Sequence, residues 1–435
     1  MLSRLTPEAL RVKTLGERKI ESPLGRGSSA LGYVDDQAAI PVDVEMFPGK
    51  ERREDLVFEK AGPRDRIFFD PRSVKAAIAT CGGLCPGLNN VIRSIVLQLT
   101  HGYGVTNDVV GIPYGYLGTN PASGLVPHKL RAESVADIHK QGGTILGSSR
   151  EKVDPEVAVS YLQRLGINVL FTIGGDGTLK GAHLIHKEAE RRGYPLAVIG
   201  VPKTIDNDIP FVWRSFGYFT ALEKAREVID FAHNEAKGHL NGVGLVRLMG
   251  RSAGFIAAGA TLASQEVNFA LIPEIPFRLE GPNGFLAALR RRLHDRHHAV
   301  VVVAEGAGQE MVPDEPRYQT AGAGGFKNVG LYLLEAIRRD CAQNQFPVDV
   351  KYFDPAYQIR SAPANSEDSL LCDQLARQAV HAAMAGKTDT LIGLWYNINT
   401  HVPIELVVGH HKRIKESNDI WRSVLQTTGQ PPRFE

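Results

Sequence analysis

From about residue 74 onward the chain is punctuated by short apolar runs of strand length. They fall at 75–80, 109–112, 169–173, 196–201, 243–249, 269–272, 300–304 and 390–395. Between many of them lie longer stretches with apolar residues at helical spacing, as at 156–165 and 219–233. Alternation of this kind predicts an α/β protein, with mostly parallel sheets covered by helices. Ligands of such sheets sit beyond the carboxyl ends of the strands. Several glycine clusters directly follow the apolar runs, which puts them where a site is expected. There is no fixed-period repeat and no low-complexity tract. Residues 1–70 have another texture: charge, weak periodicity, and scattered Pro23, Gly25, Gly27, Pro48 and Gly49. They are expected to form an N-terminal extension that wraps the surface or a partner subunit, with disorder expected for its first part.

The 435 residues exceed one ordinary core and predict two domains. Fifty basic residues against 48 acidic leave a net charge of +2, so no overall field points to nucleic acid or to a membrane surface. Arg290, Arg291 and Arg292 are adjacent, a pattern expected of a solvated helix face. Cys81, Cys85, Cys341 and Cys372 lack the companions of a metal site and predict free thiols in a reducing compartment. The longest apolar run, about 299–304, is far short of a membrane span. Residues 1–10 lack the apolar stretch of a secretory signal, and a cytoplasmic protein is expected.

Six segments carry candidate chemistry. The run TCGGLCPGLNN at 80–90 follows a strand and precedes a helix-like stretch at 91–99. Glycines there let backbone N–H groups face a phosphate, although a plain tight turn has the same composition. Gly174-Gly175-Asp176-Gly177-Thr178 also follows a strand. A carboxylate between glycines suits Mg²⁺, which takes few carboxylates plus phosphate oxygens, and Thr178 is expected to cap the next helix. Pro202-Lys203-Thr204-Ile205-Asp206-Asn207-Asp208 places two acids in one loop, one to accept a hydroxyl proton and one to stand near the metal. Asx-rich loops also make ordinary turns. In Met249-Gly250-Arg251-Ser252, Arg251 offers a fork for a phosphate or sugar oxygen and Ser252 a helix cap. Glu305-Gly306 ends a strand with an acceptor for sugar hydroxyls. Tyr357 and Arg360, with Lys351 before them, could hold a second phosphate. His183 and His186, and the pairs His297-His298 and His410-His411, have no third ligand nearby and are expected to be surface or core histidines.

In this order, GGDGT, PKTIDND, MGR and YQIRSAPAN resemble the phosphofructokinase family over about residues 74–410, and its plant-type and protozoal branch most. GGDGT alone is shared with lipid and dinucleotide kinases. The resemblance implies two Rossmann-like three-layer domains with the active site in the cleft between them. Residues 71–217, with about 358–409, would bind the donor nucleotide; residues 218–357, with about 410–435, would bind the sugar phosphate. It implies ATP-dependent phosphorylation of fructose 6-phosphate at its 1-hydroxyl, a glycolytic step, by a homo-oligomer, dimer or tetramer.

By position, the resemblance puts Gly83, Arg150, Gly175, Gly177 and Thr178 at the donor, and Asp176 at Mg²⁺. Asp206 would be the base, with Lys203, Thr204, Asp208 and Arg251 in the catalytic set. Met249, Gly250, Arg251, Glu305, Lys351, Tyr357 and Arg360 would hold the sugar phosphate. Short bacterial members carry an Arg seven residues before the Met of MGR; here that position is Gly242. In that family, as the resemblance implies, Gly at the position of Gly177 tends to mark ATP users and Lys at that of Lys203 pyrophosphate users, a pairing that plant-type ATP enzymes also combine. Side-chain bulk and charge at 177 would crowd the α-phosphate, so ATP is the expected donor and pyrophosphate the alternative. A non-catalytic regulatory subunit would lack the base or the metal acid, and both Asp206 and Asp176 are present.

Overall fold

The computed structural model describes residues 5–25, 32–45, 49, 53–105, 109–320 and 325–435. The chain forms two compact units. The first comprises Met1–Thr204, Ile209–Gly217 and Arg360–His411; the second comprises Ile205–Asp208, Tyr218–Ile359 and Lys412–Glu435.

The first unit is built on a nine-stranded sheet. Its middle is parallel, in the order Thr390–Trp395, Ala197–Pro202, Val169–Gly174, Ala76–Thr80, Val109–Ile112. Every residue of Ala76–Thr80, Val169–Gly174 and Ala197–Pro202 is buried, so both faces are covered. That is why these segments read as unbroken apolar runs. The helices between them start and stop on local signals. Pro155–Leu165 begins at Asp154, whose carboxylate accepts the N–H groups of Glu156 and Val157, and ends on Gly166 in a left-handed conformation.

The margins of this sheet are antiparallel. Thr390–Trp395 turns back into Ile398–Pro403 through Tyr396 and Asn397, both with positive φ, as a tight hairpin turn requires. Val57–Lys60 pairs with Ile398–Pro403, and Ala39–Pro41 pairs with Val57–Lys60. The N-terminal residues therefore extend the sheet. Leu5, Leu10, Val42, Leu56 and Phe58 lie in the same apolar core as Ala77, Leu170 and Val198. Their strands are two to four residues long, too short for a period to show in the sequence. Gly27 and Pro48 of this segment lie outside the described residues.

The second unit has a four-stranded, all-parallel sheet in the order Phe269–Leu271, His298–Ala304, Gly242–Leu248, Asp349–Phe353. The edge strand Asp349–Phe353 is only partly buried, and its mixed sequence hid it from pattern reading. At the other edge the amide of Gln430 bonds both the N–H and the C=O of Ala270, which closes the open rim. All eight strands expected from the sequence are present, with ends within two residues. Among the described residues no helix is long and apolar enough to cross a membrane.

Candidate active site

In the first unit, Ala76–Thr80, Val169–Gly174 and Ala197–Pro202 are adjacent and parallel, so the loops after them leave the same edge of the sheet. Gly82 (φ 86°) and Gly87 (φ 101°) occupy backbone conformations that side chains avoid. At Gly87 a Cβ would also come within 2.5 Å of Cys372 Sγ. The loop is pinned from two sides. Gly82 N–H donates to Ser149 O at 2.8 Å, and Lys203 Nζ donates to Gly83 O at 2.7 Å. A Cβ at Gly83 would lie 3.9 Å from the Arg150 guanidinium. Gly83 and Arg150, expected at the donor, thus come together with Lys203, expected in the catalytic set.

Asp176 opens the helix Asp176–Arg191 and is half-buried, with Oδ1 accepting Gly409 N–H at 2.7 Å. Thr178 does not cap this helix. The cap is Gly175, and Thr178 lies within the first turn, its side chain packed over Gly174, where a Cβ would come 2.1 Å from Thr178 Oγ1. Gly177 is exposed, and a Cβ there would meet nothing within 4 Å. Lys203 and Thr204 are both buried, and Thr204 O accepts Ser215 Oγ–H at 2.5 Å.

In the second unit, Asp206, Asn207 and Asp208 are buried, and Asn207 (φ 53°) takes the left-handed bend between the two acids. Arg251 Nε lies 3.7 Å from Asp206 Oδ2. The Met249–Gly250–Arg251 turn is held by Glu305, whose Oε1 accepts the N–H groups of Gly250 at 3.3 Å and Arg251 at 2.9 Å. Gly306 is needed beside it, because a Cβ would lie 2.0 Å from Arg251 O. Ser252 is not a cap either: the helix Phe255–Ser264 starts at Gly254, whose N–H donates to Glu274. Tyr357 and Arg360 ride on the short helix Ala356–Ser361. Lys351 Nζ lies 3.1 Å from Asp349, so a phosphate would compete with that acid for it. Gly242 packs against Ala236, and a Cβ would come 2.1 Å from its carbonyl oxygen.

Two charged groups at this site escaped sequence reasoning. Lys412 donates its backbone N–H to Asp208 O at 2.6 Å, and its ammonium lies 5.1 Å over the Phe255 ring. Burial pushes it down to about 8, against the opposing pull of Asp208. It sits in the basic run HHKRIK at 410–415, which carries no motif that sets one lysine apart. The other is Arg247, a charge inside the apolar strand Gly242–Leu248, which was the available signal.

His183 Nδ1 is 2.9 Å from buried Asp389, and burial beside Lys13 pushes His186 down to about 4. All four cysteines are buried and unpaired with one another, and burial pushes the Cys81 thiol up to about 12. Among the described residues no three metal-binding side chains gather.

The family model for phosphofructokinase matches residues 75–383. The chain belongs to the phosphofructokinase family. It is 47% identical over 434 residues to a protein of Borreliella burgdorferi named ATP-dependent 6-phosphofructokinase, covering 97% of this chain and 96% of that one. It is 45% identical to ATP-dependent 6-phosphofructokinase 7 of Arabidopsis thaliana, covering 92% and 82%. With ATP-dependent 6-phosphofructokinase of Trypanosoma cruzi it shares 40%, covering 98% and 89%. The plant and protozoal members expected from the motifs are thus among its relatives. A solved pyrophosphate-dependent phosphofructokinase of Marinobacter aquaeolei has the same fold at 22% identity, with a TM-score of 0.66 over 82% of this chain and 91% of that one.

Proposed function

We propose that this chain is an ATP-dependent 6-phosphofructokinase, transferring the γ-phosphoryl group of ATP to the 1-hydroxyl of fructose 6-phosphate. The observation that carries the reading is the gathering of Gly83, Arg150 and Lys203 at the sheet edge from which Asp176 and the open Gly177 also project. It is an arrangement of bare backbone and positive charge suited to a polyphosphate. The near full-length relatives named as ATP-dependent enzymes support the same donor.

One oxygen of Asp176 is tied to Gly409 N–H, and the other is left for a hard cation. A single carboxylate completed by substrate phosphates is the set that Mg²⁺ accepts. When bound, Mg²⁺ would neutralise charge on the transferring phosphoryl group. Arg150 and the Gly82–Gly83 backbone would hold the donor phosphates, and Lys203 would keep that loop in shape through Gly83 O. Thr204 would stand at the transferring group. Asp206 would take the proton of the 1-hydroxyl as its oxygen bonds to the γ-phosphorus and the bond to ADP breaks, a contribution of about 10²–10⁴-fold. Arg251, Met249, Gly250 and Glu305 would hold the sugar, and Tyr357, Arg360 and Lys351 its 6-phosphate. We assign the homo-oligomeric state and the cytoplasm as its setting on the same reading.

The test is a coupled assay of the purified protein with fructose 6-phosphate and either ATP or pyrophosphate, with and without Mg²⁺. Activity with ATP, dependent on Mg²⁺, is expected. Turnover with pyrophosphate alone would transfer the reading to a pyrophosphate-dependent enzyme.

A further inference from the structure

Arg247 has no role in the reading above. It lies one residue before the end of the strand Gly242–Leu248, in register with Val303, and its side chain is 8% exposed. An arginine in an apolar strand is costly to bury unless its charge is met. Two acids meet it, one from each neighbouring strand. Glu305 follows His298–Ala304, and Asp354 follows Asp349–Phe353. Arg247 donates from Nη1 to Asp354 Oδ2 at 2.8 Å and from Nη2 to Glu305 Oε2 at 3.3 Å.

Both acids reach on to backbone groups. The second oxygen of Glu305 accepts the N–H groups of Gly250 and Arg251. The second oxygen of Asp354 accepts Ala356 N–H at 3.3 Å, at the start of the helix that carries Tyr357 and Arg360. One guanidinium is therefore braced between the acid that shapes the Met249–Arg251 turn and the acid that starts the Tyr357–Arg360 helix. Stability alone explains this poorly, because an apolar replacement of similar volume is often as stable as a buried ion network. What the rigid fork of an arginine does supply is a fixed spacing between two carboxylates.

We propose that Arg247 is a positioning residue for the sugar phosphate. It holds Glu305 and Asp354, and through them both recognition segments, in the arrangement that fits fructose 6-phosphate, and it touches no substrate atom itself. The inference rests on the reading that these segments bind the sugar phosphate.

Arg247→Lys, Asp354→Asn and the double variant test it, each compared with the wild type for thermal melting, kcat, and KM for both substrates. Lysine keeps the charge but cannot span both acids. KM for fructose 6-phosphate is expected to rise about tenfold in Arg247→Lys, with kcat and KM for ATP within about threefold. Asp354→Asn is expected to raise the same constant alone. The double variant should fall short of the product of the two effects, because both changes break one brace. Folded single variants with an unchanged KM for the sugar phosphate would overturn the proposal. So would a loss of kcat that merely follows the folded fraction at constant KM, the mark of a structural role. A wild type inactive on fructose 6-phosphate would instead overturn the underlying site assignment, and this arm is read in the same assay.

Discussion

A glycine in the first turn of a helix is ordinarily a small liability, since it adds freedom to the unfolded chain and no packing to the folded one. Gly177 is such a glycine, the second residue of Asp176–Arg191, and no neighbour within 4 Å forbids a Cβ there. Packing therefore does not require it, in contrast to Gly87, Gly242 and Gly306. The proposed reason lies in the donor. Gly177→Asp is expected to leave melting unchanged or slightly raised, because an acid near a helix N-terminus is favourable. Its kcat/KM with ATP is expected to fall by at least about 10²-fold, the size of a 2.7 kcal/mol effect, as a carboxylate meets the α-phosphate. Pyrophosphate, with no α-phosphate to displace, should lose less. Full ATP activity in the variant would remove Gly177 from the donor site. At this scale the sequence was legible where backbone geometry dictates the residue. It misled at Thr178 and Ser252, which look like caps, because in both helices a glycine one to three residues earlier or later takes the cap position instead.

Elements acquire their chemistry from what packs on them. Lys412 belongs to the segment that leads into the helix Asp419–Thr428, and it is set against Asp208 and the ring of Phe255 at the start of another helix. Burial lowers it from 10.5 to about 8. Between those values the unfolded chain holds a proton that the folded chain has released, so stability rises with pH across that window. Relative to Lys412→Met, the wild type is expected to gain about 3 kcal/mol from pH 8 to pH 10.5. Urea midpoints of the two proteins at both ends of the window measure the difference. Parallel midpoints would show that the ammonium stays hydrated. Pattern reading located eight of the strands, and helices such as Pro155–Leu165 and Tyr218–Lys237, because each is long enough to show its period. It missed Asp349–Phe353, whose residues are mostly only partly buried, and Ile398–Pro403, where polar Asn399, Thr400 and His401 interrupt the apolar run.

On the scale of the whole molecule, the N-terminal residues are the clearest departure from expectation. Val57–Lys60 covers the strand Ile398–Pro403, and Glu59 stands at 2.7 Å from Lys387 and 3.2 Å from buried His401. Val42, Leu56 and Phe58 each contribute about 1.5–3 kcal/mol of apolar burial, against a total stability of about 5–15 kcal/mol. Removal of residues 1–70 is therefore expected to give an aggregating chain rather than a shorter active enzyme. Size-exclusion chromatography and the assay above would show this, and a monodisperse, active truncated protein would contradict it.

What the sequence alone determined was everything carried by short range: the α/β alternation, the glycine loops at strand ends, and the ordered motifs that resemble the family. These follow from local sterics, periodicity and residue chemistry, which a string of residues displays directly. Only the tertiary structure decided which charges meet. Lys203 finds Gly83 O 120 residues away, and Arg247 finds Glu305 and Asp354 at separations of 58 and 107. Any of the 48 acidic residues could have met Arg247 as far as local pattern goes. The choice was made by strand order, which sets three parallel strands side by side and brings the ends of distant segments within hydrogen-bond reach.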